Sequence, residues 1–310
     1  MRRFLWTALL VLCASACSED PKPPPTDMPD AGELPDGGLP DGGLPDAGTD
    51  GGTTPTSSHG SGKVPCESTG TVANATTTYT YCVTTVAGSQ LKIIEPQDTT
   101  PGQPLRLAIY LHGDGARTHD NNTAPRIQAP WTFTHRTLYV SARAPNKCAW
   151  WTKPTITTCV DDSGPEARDL EGLNAEVFVQ VLNALRGGWD LLDEPILFGG
   201  SSGGAVFLTA SFLPKYGHQY RGVYALGCGG EASWSGKLDW DSTQPALRGP
   251  TKLVYTYGDL DPYLADIQGS VSFFGARFFP VEETIVPNAA HCQFDHVGRV
   301  TEVWGQATGN

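Results

Sequence analysis

The stretch Ile196-Leu197-Phe198-Gly199-Gly200-Ser201-Ser202-Gly203-Gly204-Ala205 passes from an apolar run, through glycines and serines, into small residues that open a helix. The apolar run is short and follows Pro195, which reads as a buried strand rather than a helix. A Gly-x-Ser-x-Gly unit between strand and helix places a serine on a tight turn at the end of the strand. Small residues two before and two after it are required, because neighbouring backbone crowds such a turn. The helix N-terminus then aims backbone N–H groups at any negative charge that develops beside the serine. Two serines satisfy the pattern. Ser201 is framed by Gly199 and Gly203, and Ser202 by Gly200 and Gly204. Ser201 is preferred, because the apolar strand leads straight into Gly199 and the Gly203-Gly204 pair follows. Ser202 stays the alternative. A Gly/Ser loop without chemistry is the plainer reading, and the strand and helix on either side speak against it.

Outward from this stretch, short apolar runs alternate with helical segments. The runs Leu105–Leu111, Thr137–Ala142, Pro195–Phe198, Gly222–Leu226, Thr251–Tyr257 and Arg277–Val281 read as strands. Asp169–Leu185, Gly203–Leu213 and Phe294–Gln306 read as helices. That alternation predicts an α/β fold with a mainly parallel central sheet and helices on both faces. Cys66–Ile94, rich in Thr, Tyr and Val, reads as an antiparallel pair at one sheet edge.

Further sequence features complete a chemistry. Leu107-Ala108-Ile109-Tyr110-Leu111-His112-Gly113-Asp114-Gly115 is a strand that ends in His-Gly. His112 there reads as a structural residue beneath the loop. Leu253-Val254-Tyr255-Thr256-Tyr257-Gly258-Asp259-Leu260-Asp261-Pro262 is a buried strand that ends among carboxylates. Asp261 is preferred over Asp259, whose plainer role is that of a turn residue. Pro287-Asn288-Ala289-Ala290-His291-Cys292 precedes the last helix. His291 is the histidine best placed to accept and return a proton near neutrality, with His296 as the alternative. The chain order is Ser, Asp, His.

These motifs resemble those of α/β-hydrolases, and residues from about 64 onward are similar to the extracellular polyhydroxybutyrate depolymerase and feruloyl esterase type. The quoted points of contact are Leu111-His112-Gly113, Gly199 to Ala205, Gly258 to Pro262 and Ala290-His291-Cys292. The resemblance implies an α/β-hydrolase fold and hydrolysis of a small or polymeric carboxylic ester through an acyl-enzyme, with no cofactor and no metal. It implies a triad of Ser201, Asp261 and His291, with an oxyanion hole made by the backbone N–H groups of Asp114 and Ser202. Asp114 departs from the family pattern, which usually has a neutral residue there.

Composition bounds the setting. The 310 residues carry a net charge of −12, which offers no basic face for nucleic acid. Arg2 and Arg3 precede the apolar segment Phe4 to Leu12, which is too short to span a bilayer permanently. Ala14-Ser15-Ala16-Cys17 then resembles a bacterial lipobox, with Cys17 the acylated residue. Residues 1–17 are therefore expected to be an export signal, with ordinary cleavage near Ala16 as the alternative to lipidation. The protein is expected outside the cytoplasm, touching a membrane only through that anchor.

Residues 18–62, with Leu-Pro-Asp-Gly-Gly at 34–38 and again at 39–43, read as a Pro/Gly/Asp-rich tether that cannot bury a core. Residues 63–310 are then the catalytic domain, expected to act as a monomer. Of the eight cysteines, setting aside Cys13 and Cys17 leaves six. An even number in an exported chain favours disulfides over zinc. Proximity suggests Cys66–Cys82, Cys148–Cys159 and Cys228–Cys292. Trp150 and Trp151, on a loop after a strand, are candidates for stacking substrate, or else loop packing. A serine peptidase on the same fold, and a surface protein that only binds, are the competing functions.

Overall fold

A computed structural model of the chain describes residues 57–60, 62–159, 164–240 and 245–309. The leader, Cys17 and the Leu-Pro-Asp-Gly-Gly repeats lie outside the described residues. In chain order the elements are β1 (Ser68–Asn74), β2 (Thr77–Val86), β3 (Ser89–Ile94), β4 (Arg106–Leu111), α1 (Arg117–Asp120), α2 (Thr123–Thr134), β5 (Thr137–Ala142), α3 (Leu173–Gly188) and β6 (Ile196–Ser201). There follow α4 (Gly203–Phe207), a π-helical turn (Leu208–Phe212) and α5 (Leu213–Tyr216). The chain then forms β7 (Gly222–Gly227), β8 (Lys252–Gly258), α6 (Leu264–Gly275), β9 (Val281–Val286) and α7 (His296–Ala307).

The strands form one sheet in the order β1-β2-β3-β5-β4-β6-β7-β8-β9. Strands β4 to β9 run parallel, and β1, β2 and β3 join antiparallel on the β5 side. Side-chain alternation in β4 explains the layering. Leu107, Ile109 and Leu111 face a core shared with Phe178 and Leu182 of α3 and Ile267 and Phe274 of α6. Ala108 and Tyr110 face the other way, with Ala124 and Ala129 of α2 and Val300 and Trp304 of α7. Gly199 of β6 lies on this second face. A Cβ there would come within 2.7 Å of Trp304, so glycine lets α7 lie close to the sheet.

Several elements differ from the sequence expectation. The Cys66–Ile94 region forms three strands rather than a pair. Helix α2 has no counterpart in the sequence expectation; Pro130 lies inside it, and proline within a helix ordinarily kinks or breaks it. Burial of Ala124 and Ala129 outweighs that local signal. The last strand runs over Val281–Val286 instead of Arg277–Val281, and Arg277 turns back on Phe274 by N–H donation at 3.0 Å. This strand is a sheet edge with exposed Glu282 to Ile285, so its pattern is not that of a buried run. The domain also begins before Lys63. Ser57 bridges Leu192, and its hydroxyl donates to Asp190 at 2.6 Å.

Candidate active site

Strands β4, β6, β7 and β8 end side by side, and the loops that leave them carry the candidate residues. Strand β6 runs three residues past the apolar run that ends at Phe198, and one past the Gly200 that a turn at Ser201 would allow. Ser201 is its last residue, paired with Gly227 of β7. The turn therefore falls on Ser202, which has φ 49° and ψ −121°. A non-glycine residue holds that conformation only when its surroundings impose it. Gly200 and Gly204 are the small residues the turn needs. A Cβ on Gly200 would lie 2.7 Å from the Gly204 carbonyl carbon, and one on Gly204 would overlap the His112 carbonyl.

The shift of one residue exchanges the two serines. Ser202 Oγ lies 2.9 Å from His291 Nε2. Ser201, which the sequence favoured as nucleophile, points to the opposite side of the strand, as alternation demands. Its side chain is buried and shares a 2.6 Å hydrogen bond with the Tyr110 hydroxyl. Burial, the leading influence, pushes the Tyr110 phenol up to about 12, so it stays a neutral partner.

His291 is set by the short turn 287–293 before α7. Its Nδ1 lies 2.9 Å from Asp261 Oδ2 and 3.1 Å from Oδ1. The Asp261 side chain is fully buried, and its Oδ1 also accepts the Tyr263 N–H at 2.9 Å. The competing Asp259 is exposed. The Tyr263 ring meets His291 edge-on at 4.9 Å between centroids. The alternative base His296 lies at the start of α7, where its Nδ1 is 3.2 Å from the Phe294 carbonyl. Burial lowers His296 below the ordinary histidine value.

The structure joins Cys66 to Cys82, Cys148 to Cys159, and Cys228 to Cys292. The last pair ties the residue after His291 to the residue that follows β7, so it anchors the histidine turn beside the elbow, the sharp strand-to-helix turn at Ser202. Cys228, Cys292 and His296 lie close enough to suggest a metal site. Both sulfurs are already bonded to each other, so they are not thiolate ligands.

One of the two expected oxyanion donors, the Ser202 N–H, is engaged elsewhere. The Ser202 N–H donates to the Gly227 carbonyl at 2.9 Å, within the sheet's hydrogen bonding, so it does not face the site. The residue after the turn serine is Gly203, which opens α4, where the first N–H groups lack helical acceptors. The His112-Gly113-Asp114 loop lies against the elbow, and a Cβ on Gly113 would approach Ser202 Cβ to 3.1 Å. His112 fixes this loop. Ala144 N–H can only donate, so the His112 Nε2 it meets at 2.9 Å is the acceptor, and Nδ1 donates to the Gly113 carbonyl at 2.6 Å. Burial, the main cause, lowers His112 to about 4. Asp114 Oδ1 accepts the Trp151 indole N–H at 2.9 Å and rests against Gly203.

The two tryptophans part company. Trp151 lines the cavity, whereas Trp150 is fully buried against Phe178 and Phe207 and donates to the Ala142 carbonyl at 3.2 Å. Trp150 is thus a core residue, not a substrate contact. The cavity above Ser202 has a volume of about 790 Å³ and reaches Arg168, Glu231 and Asp266. Arg168 and Glu231 escaped notice in the sequence, since neither belongs to a motif.

A solved structure of a thermostable esterase is similar to this chain at 15% identity and a TM-score of 0.50, over 77% of this chain and 60% of that one. The chain has an α/β-hydrolase fold. It spans 60% of the length of that esterase. A carboxylesterase from Mesorhizobium loti is similar over 72% of this chain and 97% of its own, at 17% identity and a TM-score of 0.49. Est1E from Butyrivibrio proteoclasticus is similar over 74% of this chain and 99% of its own, at 12% identity and a TM-score of 0.44. No family model and no curated protein matches the sequence. Among the described residues, no helix is long and apolar enough to cross a membrane.

Proposed function

We propose that this α/β-hydrolase is an exported serine hydrolase that cleaves carboxylic esters, with Ser202 as nucleophile, His291 as base and Asp261 as its orienting acid. The observation that carries the reading is Ser202 Oγ, held on a strained turn 2.9 Å from a histidine whose other nitrogen meets a buried carboxylate. That geometry suits attack of Oγ on an acyl carbon while His291 Nε2 takes the proton. Asp261 keeps the Nδ1 proton in place and favours the imidazolium that forms.

The developing oxyanion is met by the Gly203 N–H and the backbone of Asp114. As the tetrahedral adduct collapses, His291 returns the proton to the departing alcohol oxygen. Water then repeats the sequence on the acyl-enzyme and frees the acid. Three disulfides favour an oxidising compartment, consistent with the leader-like segment, the Cys17 lipidation site and the tether read in the sequence.

The test is hydrolysis of p-nitrophenyl acetate and butyrate by the purified protein, beside Ser202→Ala and Ser201→Ala. Turnover lost in Ser202→Ala and kept in Ser201→Ala supports the assignment. A wild type no faster than Ser202→Ala would overturn it.

A further inference from the structure

On the cavity wall the Arg168 guanidinium donates to Glu231, and the Trp234 indole N–H donates to the same carboxylate. The guanidinium also lies over the Trp234 ring, 5.7 Å from its centroid. This group is fixed from several elements. The Glu231 N–H donates to Thr209 Oγ1 at 2.9 Å, and its carbonyl accepts from Ser270 Oγ at 3.0 Å. Thr209 lies in the π-helical turn behind the elbow, a device that often marks functional sites. Ser270 Oγ is in turn 2.9 Å from the Tyr255 hydroxyl of β8. Arg168 pairs with Thr152 in a β-bridge, and the next N–H, of Asp169, donates to the Trp151 carbonyl at 3.0 Å. Arg168 and Trp151 therefore reach the cavity from paired segments.

A half-buried ion pair of this kind adds little to folding, and its Glu231 side chain is only 17% exposed. A guanidinium carries several N–H donors. Among the described residues, Glu231 is the only side-chain acceptor that meets the Arg168 guanidinium. Its remaining donors stand beside a carboxylate whose oxygens keep spare accepting capacity. We infer that Arg168 and Glu231 form a subsite that reads a hydroxyl-bearing, uncharged group of the ester substrate, with the Trp151 indole beside it; this rests on the esterase reading above.

A hydroxyl accepts from Arg168 and donates to Glu231 at once. An alkyl chain would cover the guanidinium and leave its donors without partners. An anionic group would meet Asp114, Glu231 and Asp266 in the same cavity, against Arg117 and Arg168. Burial, with Asp266 nearby, already pushes the Glu231 carboxyl up, so further negative charge is disfavoured.

The experiment compares kcat/KM within pairs of esters matched for size. Cyclohexyl acetate against inositol monoacetate probes the alcohol side, and methyl butyrate against methyl 3-hydroxybutyrate probes the acyl side. In at least one pair the hydroxylated ester should be preferred by about ten-fold or more, the value of one hydrogen bond to a charged partner. In Glu231→Gln, and in the Arg168→Met/Glu231→Met double variant, that ratio should fall toward unity through KM. The ratio is internal to each preparation, so partial loss of folded enzyme cancels. A wild-type ratio near unity in both pairs, or an unchanged ratio in both variants, overturns the subsite while p-nitrophenyl acetate is still turned over. Absence of turnover on every ester, equal to Ser202→Ala, would instead overturn the esterase reading and the subsite with it.

Discussion

Ser201 and Tyr110 share a 2.6 Å hydrogen bond beneath the elbow, both of them buried. On the proposed mechanism, that contact makes Ser201 part of the support for Ser202 rather than the nucleophile. Ser202→Ala should lower kcat by about 10³-fold or more, as removal of a triad nucleophile does. Ser201→Ala should keep most activity but leave the Tyr110 hydroxyl without its partner, costing about 1–3 kcal/mol of stability. Initial rates with p-nitrophenyl acetate and urea unfolding of both variants check this. Equal loss of activity in the two would contradict it.

Asp261 holds His291 by two contacts near 3 Å, at 2.9 and 3.1 Å. Asp261→Asn keeps the shape but offers an N–H where a carboxylate oxygen stood. Rates should fall about 10³–10⁴-fold with little change in KM. Steady-state kinetics on one activated ester decide it, and a loss confined to KM would speak for substrate binding instead.

His112 makes stability sensitive to acid. Burial lowers it to about 4 from an ordinary 6.5. Between those values the unfolded chain binds more protons than the folded one. Stability is therefore complete above pH 6.5 and falls as pH drops toward 4, by about 3 kcal/mol from this residue. His119, lowered to about 2 chiefly by burial, acts in the same direction. Urea unfolding across this range should show a steeper acid loss in wild type than in His112→Gln, whose amide can still accept from Ala144 and donate to Gly113.

Cys228 and Cys292 are 64 residues apart in sequence. Opening so long a loop in the Cys228→Ala/Cys292→Ala variant should cost about 4 kcal/mol. Because Cys292 adjoins His291, activity at a temperature where the variant stays folded should also fall. Calorimetry with parallel rate measurements separates the two effects, and a variant with wild-type kcat would show that the histidine turn holds its place unaided.

Trp150 and Trp151 should respond differently to the same substitution. Trp150→Ala removes a fully buried ring from the α3–α4 packing and should cost about 3–5 kcal/mol. Trp151→Ala should fold nearly as well as wild type, yet raise KM and remove the indole N–H donor from Asp114. Thermal midpoints and KM for the pair provide the comparison.

Much of this was legible from residue order alone. The alternation of apolar runs and helices, with Gly-x-Ser-x-Gly between a strand and a helix, leads to the parallel sheet and to the neighbourhood of the elbow. The positions of Asp261 and His291 follow from strand ends and from the last helix, because a site at the carboxyl ends of parallel strands leaves a local mark at each of them. What sequence could not determine was register. Gly199-Gly200-Ser201-Ser202-Gly203-Gly204 fits the pattern in two frames, of which the sequence favours the one centred on Ser201, and only the pairing of Ser201 with Gly227 puts the turn on Ser202. A one-residue slip turns each side chain to the other face, so it also moves the proposed elbow N–H donor from Ser202 to Gly203. Trp150 and Trp151, neighbours in a turn, part into the core and toward the cavity only through the packing around them. Helix α2, with its prolines, and the exposed edge strand β9 owe their form to what they pack against, not to their own composition. The Arg168–Glu231 pair joins residues far apart in the chain, and no local pattern announces a contact that only the closing of the fold creates.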